Sequence, residues 1–172
     1  NLILEVQPEL LALLRSLPTR TPIQFLSRGQ TLPAFDYHCP LMSLPHALDL
    51  KSPAEVPATV PYLTPEPALV ERFAGLIGRG EGLKVGLVWT GAPIHRRDRE
   101  RSIAFAKLDP LLSTPGVRYF SLQKPTPPYA IAPMTDLSAH LSDFAHTAAA
   151  VANLDLVISI DTSVAHLAGA MG

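Results

Sequence analysis

Hydrophobic positions along the chain predict two successive series of strands and helices. Residues 2–6 form a short apolar run typical of a buried strand, and residues 10–17 then carry leucines at helical spacing. Residues 22–26 form a second apolar run, which ends at a turn-prone Ser-Arg-Gly sequence. A third strand is expected over residues 36–42. This β-α-β order is typical of a parallel sheet that carries helices on its faces.

A proline-rich stretch separates the two series. The prolines within residues 51–67 forbid a continuous helix or a central strand, so a domain boundary is expected here. Residues 67–77 place their apolar side chains on one helix face, and a glycine-rich segment follows. We therefore expect a partial amino-terminal domain over residues 1–62, a linker with a connecting helix over 63–82, and a partial carboxyl-terminal domain over 83–172.

The second series begins with a continuous apolar run at residues 84–89, as expected of a buried parallel strand. A polar loop over residues 90–102 follows it. The pattern then predicts, in order, a short helix over 105–112, a strand over 117–122, a helix over 143–152, a strand over 154–160 and a last helix over 164–171.

Composition narrows the class of protein. Hydrophobic residues make up 47% of the chain and charged residues 17%, with a net charge of −1, which fits a globular protein and excludes one that coats nucleic acid. Cys39 is the only cysteine, so no internal disulfide forms, and a reducing, cytoplasmic location is expected. The apolar run at residues 148–160 is too short to span a membrane and is interrupted by Asn153 and Asp155.

The polar loop after the strand at 84–89 is the first candidate for chemistry. It contains four arginines against two acidic residues, and guanidinium groups suit phosphate oxygens because they form paired, charge-assisted hydrogen bonds. The alternative is a solvated charge run that pairs with itself. The arginines are Arg96, Arg97, Arg99 and Arg101.

The second candidate is the turn from the strand at 154–160 into the last helix. Thr162 or Ser163 would cap this helix, and its free N–H groups would face the ligand crevice and suit a diphosphate. If Ser163 is the cap, His166 lies at the third helical position and reaches a bound phosphate. The alternative is plain capping with a packed histidine.

Gln123 and Lys124 follow the strand at 117–122 and could reach a nucleoside from its carboxyl end, or form a plain exposed loop. No GxGxxG or Walker-type loop is present. The other histidines show no spacing typical of metal ligands, so no metal and no cofactor is expected.

Three segments together resemble the heptosyltransferase-like glycosyltransferases of family 9, in particular bacterial proteins that carry this domain after tetratricopeptide repeats. The segments are KVGLVWTGAPIHRRDRERSI, VRYFSLQK and DFAHTAAAVANLDLVISIDTSVAHLAGAMG. Near the amino terminus, LILEVQPELLALLRSL and AFDYHCPLMSLP also resemble this family, so the likeness covers nearly the whole chain.

The resemblance implies a GT-B fold, in which two Rossmann-like domains with parallel sheets, both incomplete here, face a cleft. It implies metal-independent sugar transfer with inversion, from a nucleotide-diphosphate sugar to an unknown acceptor. It also implies contacts to the donor's sugar and diphosphate from Asp161, Thr162, Ser163 and His166. The family often has glycine where Ser163 stands, and its basic loop residue maps to one of the four arginines above.

Several expectations follow from this likeness. The catalytic base is expected in an amino-terminal part before Asn1, and the unpaired sheet edges are expected to self-associate or to bind a partner chain. The alternatives are a non-catalytic nucleotide-sugar-binding or scaffold module and a nucleotide-sugar epimerase of the same fold.

Overall fold

The structure is a computed structural model that describes residues 1–57, 59–91, 98–126 and 131–172, except for the Arg99 side chain. It is a mixed α/β protein with two sheets, and every strand pair within them is parallel. The parallel α/β class predicted from the strand and helix pattern is therefore confirmed.

The amino-terminal sheet has two strands, β1 (Leu2–Val6) and β2 (Ile23–Ser27), which pair in register from Leu2 opposite Ile23. A 3-10 turn (Pro8–Leu10) and helix α1 (Leu11–Leu14) connect them. The helix is shorter than the leucine spacing predicts. The hydroxyl of Ser16 donates to the carbonyl of Leu13 at 2.7 Å, and proline follows at position 18, so the helix cannot continue.

The prediction of a strand at residues 36–42 is wrong. No strand is present there; a 3-10 turn (Leu41–Ser43) and helix α2 (Leu44–Ala47) follow instead. Pro40 lies within this segment and Pro33 precedes it; neither can donate to a ladder, and residues 28–49 are exposed throughout.

The proline-rich connector carries one 3-10 turn (Pro53–Glu55) and no strand among its described residues, as predicted. It is anchored at its end, because the N–H groups of Tyr62 and Leu63 both donate to the carbonyl of Ala170. Helix α3 (Pro67–Ile77) then has the bounds that the sequence predicts, with proline in its first turn and Gly78 at its end.

The second sheet has four strands: β3 (Leu83–Val88), β4 (Val117–Ser121), β5 (Thr135–Asp136) and β6 (Leu156–Ser159). Their spatial order is β5-β4-β3-β6. Counted within this sheet the order is 3-2-1-4, as in Rossmann-like sheets. The chain runs from β3 outward to β5 and then returns to the other side of β3. The gap between the loops after β3 and β6 is therefore the topological switch point, where ligands bind in such sheets.

Helices cover both faces of this sheet. On one face, α3, α6 (Phe144–Val151) and α7 (Ser163–Met171) enclose a core that includes Phe73 and Phe120. On the other face, a 3-10 turn (Phe105–Leu108) and helix α5 (Asp109–Leu112) cover a core around Trp89. The remaining short elements are helix α4 (Asp98–Arg101) and a 3-10 turn (Ser138–His140).

A third apolar cluster joins the amino-terminal unit to the second sheet. Leu13 is 2% exposed and packs with Ala148 of α6 and with Leu167 of α7. This packing holds the turn Pro8–Leu10 against the start of α6, at the edge of the second sheet where its strands end.

Candidate functional site

A cavity of about 330 Å³ opens at the switch point of the second sheet. It is bounded by the segments after β3, β4 and β6, by the start of α6, and by the turn Pro8–Leu10 of the amino-terminal unit. We call it the switch-point cavity. Its lining residues are Glu9, Val88, Thr90, Gly91, Arg101, Leu122, Lys124, Leu141, Ser142, Asp143, Phe144, Thr147, Thr162, Ser163 and Val164.

The segment after β3 and the turn after β6 meet at this cavity. The guanidinium of Arg101 donates from Nη1 to the carbonyl oxygen of Asp161 at 2.8 Å. Its Nε lies 3.4 Å from the Asp98 carboxylate, and the Arg101 side chain is 26% exposed. Arg101 therefore connects the polar loop after β3 (residues 90–102, called the basic loop below) to the turn before the last helix. Its guanidinium group lies at the cavity.

Gly91 allows this close approach. A Cβ atom at this position would collide with the side chains of Asp98 and Arg101. The N–H of Gly91 donates to Ser102 Oγ at 3.1 Å, and the N–H of Ile103 donates to the Trp89 carbonyl. Both ends of the basic loop are thus fastened next to β3.

The turn after β6 presents the start of α7 to the cavity. Thr162 occupies the cap position, but its side chain accepts no hydrogen bond from the helix and instead pairs with Ser159 Oγ at 2.9 Å. Ser163 and Val164 are the first two helical residues, whose N–H groups precede the first intrahelical bonds. The positive end of the helix dipole therefore faces the cavity.

His166 lies one position further into the helix than its expected place, because Thr162, not Ser163, is the cap residue. Its N–H group bonds the Thr162 carbonyl, and its ring is 81% exposed, with Nε2 3.7 Å from Asp161 Oδ1. Neither His166 nor the Asp161 side chain lines the switch-point cavity, so a contact to the donor from either stays a prediction.

Gln123 is not available to a nucleoside, contrary to the expectation from its place after β4. Its side chain amide is buried, with the whole residue 1% exposed. Gln123 Oε1 accepts from the N–H groups of Trp89 and Thr90, and Nε2 donates to the carbonyls of Thr90 and Lys124. The amide is fully used in joining the ends of β3 and β4.

Lys124 does line the cavity. Its Nζ donates to the Ser138 carbonyl at 3.2 Å, which places the ammonium group near the ends of the strands. Arg96 and Arg97 lie outside the described residues, as does the Arg99 side chain. Within the described part, Arg101 and Lys124 are the basic residues of the cavity lining.

The start of α6 supplies acidic and hydroxyl groups that the sequence reasoning did not assign to the site. Asp143 caps this helix, and its Oδ1 accepts from the His146 N–H at 2.9 Å and contacts the His146 ring at 2.7 Å. Partial burial acts to raise the pKa of Asp143, but the hydrogen bonds and charge of His146 and the N–H of Ala145 outweigh it and hold the pKa below its ordinary value. Asp143 is therefore ionised at neutral pH.

Glu9 was also missed, although it lines the same cavity. The aspartate before an apolar helix could have been recognised as a cap from its position in the sequence. No local signal could have indicated Glu9, because it reaches the site only through the packing of Leu13 on α6 and α7.

A second cavity of about 300 Å³ lies at the opposite edge of the sheet, beside the end of α3. Arg79 and Lys84 are among its lining residues. The carbonyl groups at the end of α3 lie on this side. Two of them, at Ile77 and Gly78, accept hydrogen bonds from the Arg118 guanidinium. The negative end of a helix dipole disfavours an anion, so this cavity serves as a control for the switch-point cavity.

Among the described residues, no three histidine, cysteine, aspartate or glutamate side chains come together in a way that could hold a metal ion. Among the helices of the same residues, none has both the length and the apolar character needed to cross a bilayer.

Comparison with known proteins gives one partial likeness. The chain is 33% identical over 125 residues to Protein FlbA of Caulobacter vibrioides. The match covers 64% of this chain but spans only about 20% of the length of FlbA. No protein-family model matches the chain, and no solved structure matches it.

Proposed function

We propose that this chain is the nucleotide-sugar-binding region of a glycosyltransferase with a GT-B arrangement, similar to the heptosyltransferase-like family 9. The contact between Arg101 and the Asp161 carbonyl carries the proposal. It brings the loop after β3 and the start of α7 to one cavity, and both elements favour the binding of a diphosphate.

The chemistry of the cavity suits the two linked phosphates of a donor. The Arg101 guanidinium and the Lys124 ammonium supply positive charge, and the first N–H groups of α7 supply preorganised donors. In a sugar transfer the diphosphate leaves with the bonding electron pair, so these groups would stabilise the charge that develops on it. In this proposal the cationic side chains take the charge-stabilising role that a metal ion has in other transferases.

The position of the cavity also supports the proposed GT-B arrangement. The cavity lies where the amino-terminal unit meets the edge of the second sheet, since Glu9 from the first and Ser163 from the second both line it. A donor site between two α/β units is the arrangement that the family likeness implies. In this proposal the transfer inverts the configuration of the sugar, and the acceptor is bound from the side of the amino-terminal unit.

Calorimetric titration of the chain with UDP, GDP, ADP, CDP and TDP at low ionic strength tests the proposal. We expect saturable binding of at least one diphosphate, weakened about tenfold by Arg101→Ala or by Lys124→Ala, since each removes one charge-assisted hydrogen bond. Arg79→Ala is the matched control, because it removes an arginine from the control cavity at the other edge.

Thermal unfolding of each variant is the control that checks whether the fold is retained. The proposal fails if no diphosphate binds to the wild-type chain, or if Arg79→Ala weakens binding as much as Arg101→Ala does. Binding should also fall with added salt, because the attraction between charges at a partly open cavity is screened.

A further inference from the structure

We propose that the Glu9 carboxylate, which lines the cavity opposite the start of α6, binds a hydroxyl group of the donor's sugar. This inference rests on the proposed function and assigns a second part of the ligand to a second part of the switch-point cavity. Nothing in the sequence pattern or in the family likeness stated above points to Glu9.

The polar groups of the cavity are divided by element. The segments after β3 and β4 contribute the cations Arg101 and Lys124. The polar side chains that line the cavity from the turn Pro8–Leu10 and the start of α6 are two carboxylates and two hydroxyl groups, with no cation among them. These are Glu9, Ser142, Asp143 and Thr147.

The division matches the two chemistries of a nucleotide sugar. Carboxylates repel phosphate oxygens but accept strong hydrogen bonds from hydroxyl groups, because the charge on the acceptor strengthens the bond. A diphosphate held by Arg101 and by the start of α7 would leave its sugar facing the other side. A neutral ring with many hydroxyl groups is therefore the ligand part that fits next to Glu9.

Glu9 is the acidic residue of the cavity lining whose carboxylate can accept a new hydrogen bond. The Asp143 carboxylate already holds the His146 N–H and ring, and the Thr147 hydroxyl donates to the Asp143 carbonyl at 3.0 Å. Within the described part of the chain, no hydrogen bond or ion pair engages the Glu9 carboxylate, and the residue is exposed. Its acceptor sites remain open to a ligand.

The position of Glu9 is nonetheless fixed. Pro8 precedes it and restricts the backbone at the start of the turn, and the Leu10 N–H donates to the Gln7 carbonyl at 3.0 Å. Four residues later, the buried Leu13 anchors the same segment to α6 and α7. Because the backbone at Glu9 is already held, only the freedom of its side chain is lost when the carboxylate binds a hydroxyl group, which favours a specific contact.

The test compares each nucleoside diphosphate with its hexose ester: UDP with UDP-glucose, GDP with GDP-mannose, and ADP with ADP-glucose. Calorimetry on the wild-type chain and on Glu9→Gln gives the ratio of the two dissociation constants. Glu5→Gln is the matched control, since Glu5 is an exposed acid on β1 outside the cavity lining.

The expected result has opposite signs for the two ligands. Glu9→Gln removes a negative charge near the phosphates, so the free diphosphate should bind as tightly as before or slightly better. The hexose ester should bind about tenfold more weakly, because a charged hydrogen bond to a hydroxyl group is lost. A merely structural role for Glu9 would weaken both ligands together.

An unchanged ratio of dissociation constants in Glu9→Gln overturns the inference, as does an equal loss for both ligands. The proposed function survives either of these results, since the diphosphate still binds. If no diphosphate binds to the wild-type chain, the proposed function and the inference both fail.

Discussion

At the residue scale, Gln123 sets the geometry of the cavity without contacting it. The Gln123 side-chain amide links the segments that follow β3 and β4. Its oxygen accepts from the N–H groups of Trp89 and Thr90, and its nitrogen donates to the carbonyls of Thr90 and Lys124. Thr90 and Lys124, which do line the cavity, are held by these bonds. The shape of the cavity beside Thr90 and Lys124 therefore depends on a side chain that does not line it.

We expect Gln123→Ala to lower the free energy of unfolding by on the order of 3 kcal/mol, since buried backbone groups lose their partners. Urea denaturation measures this change. The exposed Gln7→Ala is the control and should change the free energy by less than about 0.5 kcal/mol. Equal effects of the two substitutions would show that the Gln123 amide is not a structural tie.

Gln123 also shows why site residues are hard to assign from a strand end alone. The sequence places a polar residue after β4, and such a residue can face the ligand or turn inward to the backbone. Gln123 turns inward because the N–H groups of Trp89 and Thr90, which follow β3, need a hydrogen-bond acceptor. That requirement is visible only after the strands are paired.

At the element scale, the start of α6 depends on Asp143. Its carboxylate accepts from the third N–H of the helix, and the same group contacts the His146 ring. Because α6 packs against both α3 and the amino-terminal unit, this cap stabilises an element that supports one side of the cavity.

We expect Asp143→Ala to cost about 1 kcal/mol of stability at neutral pH, the usual value for a lost cap. The folded-state pKa of Asp143 lies below its ordinary value of 3.8, so its ionised form stabilises the fold above that pH. This contribution disappears as the pH falls through the lower, folded-state pKa. The difference between wild type and Asp143→Ala should therefore shrink in acid.

Denaturation at a series of pH values from neutral to strongly acidic checks this. Asp143→Asn is the matched variant, because it keeps a capping oxygen but cannot titrate, and its stability relative to Asp143→Ala should stay constant with pH. A wild-type advantage that is the same at every pH would contradict a role for the ionised carboxylate.

Elements with strong local signals were predicted well. Helix α3 has a proline in its first turn, an apolar face and a glycine stop, and its bounds are as predicted. The prediction of a strand at residues 36–42 was wrong because the segment contains Pro40 and is exposed, with no strand to pair with. Strand β5 was missed because it has two residues, Thr135 and Asp136, and exists only through its pairing with β4.

At the scale of the whole molecule, the strand order creates the site. The chain moves from β3 to β5 on one side and returns to β6 on the other, so the loops after β3 and β6 diverge around a gap. From the sequence, both loops were expected at the carboxyl ends of parallel strands, and the structure joins them through Arg101. The contribution of Glu9 could not be predicted, since it depends on how the amino-terminal unit packs. The expected self-association, or binding of a partner chain, through unpaired sheet edges stays a prediction.

Diphosphate binding at the switch-point cavity is tested most directly by a nuclear magnetic resonance titration of the 15N-labelled chain with a nucleoside diphosphate. We expect the amide signals of Gly91, Ser163 and Val164 to shift, because these residues lie at the switch-point cavity. Signals of Gly78 and Gly80, at the opposite edge of the sheet, should stay in place. Shifts confined to the two glycines of the opposite edge, or none at any of these amides, would contradict the claim that this cavity binds a diphosphate.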